Sequence, residues 1–108
     1  RLRVPGMAAV NAHDILREAA RHMQDRAATY DSPGGERSMA ATVSAFNAIC
    51  GTDISEEQGW LFMLVLKLVR ANARGGVHRD SFEDAVAYAS LMAEAAISRS
   101  PVSSGTAN

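Results

Sequence analysis

Two short patterns carry the residue types from which a site could be built: Lys67-x-x-Arg70, and then Asp80-x-x-x-Asp84-x-x-x-Tyr88. Spacings of three and four place Lys67 with Arg70, and Asp80 with Asp84 and Tyr88, on single stripes of their helices. Two carboxylates one helical turn apart offer oxygen ligands to a divalent cation, and two cations one turn apart can meet phosphate oxygens or neutralise the acids. The same residues also have a purely structural use. Asp80 can serve as an N-cap, Lys67 and Arg70 as partners of a helix dipole, and Asp84 as the counter-ion of Arg70 across a helix pair.

Other reactive side chains offer less. His13 and His22 lie nine residues apart, half a turn out of phase on a helix, so they make no metal pair and read as solvated surface histidines. His78, beside Arg79 and Asp80, could sense pH or touch a phosphate, although a lone loop histidine is more often neither. Cys50 has no histidine within sequence reach and reads as a buried apolar thiol. No Gly-x-Ser-x-Gly, phosphate loop or zinc spacing occurs, and Gly34-Gly35 is too short to cradle phosphates. Met39, Met63 and Met92 fall on apolar faces as core filler.

Four helices must position these residues. Twenty alanines and the absence of alternating Val/Ile/Thr runs exclude a sheet protein. The first helix is expected from about Ala9 to Thr29, with Leu16, Ala19, Ala20, Met23, Ala27 and Tyr30 inward. Asp31-Ser-Pro-Gly-Gly35 breaks it, and a second begins at Glu36 with Met39, Val43, Phe46 and Cys50 inward and Gly51 as its stop. The third starts at a capping box, Ser55 with Gln58, has Glu56 and Glu57 in its first turn, and places Lys67, Arg70 and Arg74 towards its end before Gly75-Gly76. Trp60 to Leu66, Leu68 and Val69 make it apolar nearly all round, as expected of a central helix surrounded by neighbours. The fourth is expected to start at Asp80 as N-cap, with Glu83 three residues on, and to bury Phe82, Val86, Ala89, Met92, Ala93 and Ala96. Short connections favour antiparallel neighbours and an all-α, four-helix-bundle-like compact domain.

The 108 residues suit one domain, taken as 9–97 between a leader at 1–8 and a Ser/Gly-rich tail at 98–108. Residues 1–6 read as vector-derived or otherwise unstructured, with Met7 as the native start. A net charge of −1 lacks the basic surplus of a general nucleic-acid binder. The longest apolar run, Trp60 to Leu66, is far short of the ~20 residues a membrane span needs. One cysteine and no secretory signal favour the cytoplasm. Thin alanine-rich packing beside so apolar a third helix favours a homodimer.

Tyr30-Asp-Ser-Pro-x-x-Glu36, Leu66-Lys-Leu-Val-Arg70 and Arg79-Asp-Ser-x-x-Asp84-x-x-x-Tyr88-Ala89 together resemble a family of small phage and prophage helical proteins, over most of residues 13–95. Asp31 and Ala87 stand where that pattern usually has glycine. The family is in turn similar to the all-α, MazG-like nucleoside triphosphate pyrophosphohydrolases, where Asp84-x-x-x-Tyr88 would match the last metal-binding helix. That similarity implies Mg²⁺ held by carboxylate pairs on two helices. Here Lys67-x-x-Arg70 takes the place of the first pair and Ser81 stands at the Glu position before Asp84, and cations cannot ligate Mg²⁺. The expected function is therefore nucleotide-associated, as a divergent pyrophosphohydrolase or a non-catalytic phosphate binder. Lys67 and Arg70 are its phosphate contacts, Asp80 and Asp84 its metal ligands, and Tyr30, Glu36 and Tyr88 its stacking or lining residues. The alternative is an interaction module whose helical surface binds a host protein.

Overall fold

A computed structural model describes residues 10–30, 38–73 and 78–99. Among them there are four helices and no strand: α1 (Ala12–Tyr30), α2 (Met39–Cys50), α3 (Glu56–Asn72) and α4 (Arg79–Arg99). The expected leader, the turn at Gly34-Gly35, Glu36, Arg74, Gly75-Gly76 and the tail from Ser100 lie outside the described residues, as does the side chain of Tyr30.

Local sequence sets the ends. At α3 the Ser55 hydroxyl accepts the Gln58 amide at 3.1 Å, and the Gln58 side chain accepts the Ser55 amide at 2.9 Å, so the capping box is complete. Gly51 ends α2 in the left-handed region, φ 69°, with its amide on the Asn47 carbonyl. The α2–α3 connection is then pinned by the Asn47 side chain, whose amide donates to the Ile54 carbonyl and whose Oδ1 accepts from the Ile54 amide and the Thr52 hydroxyl. α1 carries a reciprocal cap that its sequence pattern had not flagged: Asn11 Oδ1 accepts the Asp14 amide and Asp14 Oδ2 accepts the Asn11 amide. α4 begins at Arg79, so Asp80 is not its N-cap but lies inside its first turn, and the helix runs on through Ser98 to Arg99.

α4 lies between α1 and α3, and α2 rests on α3. Among the described residues no packing joins consecutive α1 and α2, contrary to the neighbour rule for short connections. Lys67 near the end of α3 meets Asp84 early in α4, while Glu57 at the start of α3 meets Arg99 at the end of α4, so this pair is antiparallel. The core gathers Met39, Val43, Trp60, Tyr88 and Leu91, with Met23, Ile54, Met63, Leu64 and Met92 against it. Gly59 lets α2 approach α3, since a Cβ there would lie 2.5 Å from Met39 Sδ and 2.8 Å from Val43 Cγ1.

The buried faces differ from the expected stripes in an instructive way. α4 buries Glu83, Ala85, Ala87, Tyr88 and Leu91 because it is covered on two sides, while Phe82 and Ala93, expected inward, are exposed. Leu16, Ala20, Phe46 and Cys50 are also exposed, so the thiol is not a core group. α3 is not surrounded: Leu61, Phe62, Val65, Leu68 and Val69 all face outward, with Phe62 70% exposed.

Candidate functional site

The first turns of α4 carry three groups of polar residues, two towards α3 and one towards α1. On the α3 side Lys67 Nζ lies 2.9 Å from Asp84 Oδ2, with both side chains largely buried. Asp84 is thus the counter-ion of Lys67 rather than of Arg70. Tyr88, one turn further along the same stripe, is buried with its ring stacked on Trp60 at 5.7 Å and 26° between planes. Its ring is already covered and is not a free platform for a base.

At the α4 N-terminus, Arg70, Ala73, His78 and Ser81 line a recess of about 290 Å³. Arg70 is exposed and makes no side-chain ion pair among the described residues. His78 Nε2 is buried and has no hydrogen-bond partner there. The first backbone N–H groups of a helix lack intrahelical acceptors and carry a partial positive charge, which favours an anion. A cationic guanidinium, an imidazole and a hydroxyl at that helix end form a donor set suited to a phosphate.

Asp80 is exposed in the first turn and pairs with no cation among the described residues. The magnesium expected of Asp80 and Asp84 does not fit this arrangement. Asp84 meets an ammonium, and no described group of metal-ligating side chains includes either aspartate. Of the residues singled out by spacing, the fold thus joins Lys67 to Asp84, sets Arg70 with His78 and Ser81, and leaves Asp80 apart.

On the α1 side is a group the spacing argument missed. Glu83, 3% exposed, receives Arg79 Nε on Oε2 at 2.6 Å and faces His22 Nε2 from Oε1 at 3.0 Å. His22 is accordingly part-buried and partnered, not a solvated histidine. Glu18, one turn before His22, completes a cluster whose ligand atoms lie within 4.8 Å of one another. Arg21 donates to Glu18 Oε1 at 2.6 and 3.2 Å, and this hydrogen bond holds the Glu18 carboxyl below its ordinary value. The sequence signal for the cluster was the i, i+4 spacing of Glu18 and His22.

The family model DUF6378, a domain of unknown function, matches residues 14–96. The chain belongs to this family. The match spans all three polar groups and the whole helical core, so the DUF6378 domain is the four-helix unit itself. No curated protein and no solved structure matches the chain.

Proposed function

We propose that this DUF6378 protein is a phosphate-binding, nucleotide-associated helical protein of phage or prophage type, related in plan to the MazG-like group and acting in the host cytoplasm. The observation that carries the reading is the recess at the α4 N-terminus, where Arg70 and His78 Nε2, neither with a side-chain partner among the described residues, meet Ser81 at the start of a long helix. Arg70 is the principal anion contact. Lys67 is neutralised by Asp84 and is not part of the recess lining. Binding is the activity proposed, since among the described residues neither aspartate joins a group of metal-ligating side chains.

Thermal unfolding against inorganic phosphate, pyrophosphate and nucleoside mono-, di- and triphosphates tests this, because a ligand of the folded state raises the midpoint. The expected result is a rise that Arg70→Ala abolishes while leaving the ligand-free midpoint nearly unchanged. A flat panel at millimolar ligand sinks the reading.

A second reading rests on a separate observation. Leu61, Phe62, Val65, Leu68 and Val69 leave one side of α3 open, and Leu68 continues into an apolar cleft of about 770 Å³ whose walls include Leu16, Leu64, Phe82 and Val86. Such a contiguous face favours protein contact, either with a second copy as a homodimer or with a host protein. Sedimentation of the wild type against Phe62→Glu decides it. A dimer converted to monomer supports self-association, and a wild-type monomer whose complex with host protein is lost in the variant supports the host partner.

A further inference from the structure

We propose that Glu18, His22 and Glu83 form a binding site for a divalent transition-metal ion, bridging α1 and α4 at a place separate from Asp80, Asp84 and the anion recess. Glu18 and His22 stand at i and i+4 on α1, one above the other, so both reach a single point beside the helix. Glu83 reaches that point from α4, and the three donors already lie within 4.8 Å of one another.

The distances suit an ion. His22 Nε2 and Glu83 Oε1 are 3.0 Å apart, and two donors at that separation, each roughly 2.1 Å from a metal, subtend about 90° at it, the cis angle of octahedral coordination. Glu83 is held for the task. Arg79 occupies Oε2 alone at 2.6 Å, which fixes the carboxylate and leaves Oε1 turned to His22, as an outer-shell partner does in metal sites. Both hydrogen bonds from Arg21 fall on Glu18 Oε1, so Oε2 is spared for a ligand bond. Glu18 must swing in by a side-chain rotation, which its one-third exposed carboxylate permits.

The donor set chooses the ion class. One imidazole with two carboxylates favours Zn²⁺, Mn²⁺, Fe²⁺ or Co²⁺ over Mg²⁺ and Ca²⁺, which take all-oxygen sets. Three protein ligands leave positions for water, the pattern of an open site rather than a closed structural one. His22 is partly exposed and gives the ion a route in from solvent. Binding replaces the His22–Glu83 hydrogen bond with two metal bonds, and the imidazole must be neutral at Nε2 to take part.

Titration of the purified chain with Co²⁺, read by visible ligand-field absorption, and thermal unfolding with and without Zn²⁺ test the site. The wild type is expected to show Co²⁺ bands and a raised midpoint with Zn²⁺. His22→Gln and Glu18→Gln are each expected to weaken Co²⁺ binding by at least about tenfold. Glu18→Gln changes a part-exposed side chain and keeps the fold, by far-ultraviolet circular dichroism, even where His22→Gln does not. A folded wild type with neither bands nor a midpoint shift at millimolar metal overturns the proposal. So do bands that persist undiminished in the folded Glu18→Gln chain, since the metal is then held elsewhere, with the exposed Cys50 the first place to look.

Discussion

Lys67 and Asp84 form a 2.9 Å ion pair across the α3–α4 seam with only 16% and 20% of their side chains exposed. A pair this sheltered has given up much of its hydration, so removing one partner strands the other. Lys67→Met and Asp84→Asn are each expected to destabilise the fold by roughly 1–3 kcal/mol, and the double variant by less than the sum. Urea unfolding of the four corners of this cycle measures the coupling. Strict additivity would show that the two charges are independently solvated.

Gly59 sets the distance between α2 and α3. Alanine there gains about 1 kcal/mol of helix propensity, yet its Cβ would sit 2.5 Å from Met39 Sδ and 2.8 Å from Val43 Cγ1. Sulfur at the end of a flexible chain can move aside, but the Val43 branch cannot turn freely. Gly59→Ala is therefore expected to destabilise by roughly 1–3 kcal/mol, as overpacking does, and pairing it with Val43→Ala is expected to cost less than the two changes summed. Chemical denaturation gives both values.

What the sequence made legible was local. Ser55 with Gln58 and the stop at Gly51 depend on residues within one turn, and both occur as read. α4 starts at Arg79 rather than after Asp80, because an aspartate suits the first turn of a helix as well as the cap before it. Choices between distant partners were not legible. Lys67 and Arg70 are equivalent as spaced cations, and only the crossing of α3 on α4 gives Asp84 to the first. Glu83 reads as the partner of an Asp80 cap, whereas in the fold it faces His22 far away in sequence. Phe46, Phe62 and Val69 show why apolar periodicity falls short: it marks a face that prefers cover without saying whether this chain supplies it.

The two caps differ in their response to acid. The hydrogen bond with the Asn11 backbone holds the Asp14 carboxyl below its ordinary 3.8, and Arg21 holds Glu18 below its ordinary 4.5. A lowered carboxyl stabilises the folded state at pH above the unfolded value, and that contribution disappears as pH falls through the folded one. The start of α1 should therefore lose amide protection below about pH 4, whereas the uncharged Ser55–Gln58 cap of α3 should not. Hydrogen exchange, corrected for intrinsic rates at each pH, compares the two ends within one sample. Equal loss at both would mean that global unfolding, not the carboxyls of α1, governs the acid response.

Tyr88 separates a packing role from a ligand role. Its ring stacks on Trp60, the single tryptophan of the chain, and both residues are buried. Tyr88→Ala is expected to cost roughly 3–5 kcal/mol, as for other large aromatic truncations in cores, and to change the emission of Trp60. Tyr88→Phe keeps the ring and is expected to stay within roughly 1.5 kcal/mol of the wild type. Because the ring contributes through Trp60 and not through a base, Tyr88→Phe should also leave any phosphate-induced midpoint shift intact while Arg70→Ala removes it. If Tyr88→Phe alone erased the shift, the hydroxyl would be part of the ligand site and the recess would extend along α4 beyond Ser81.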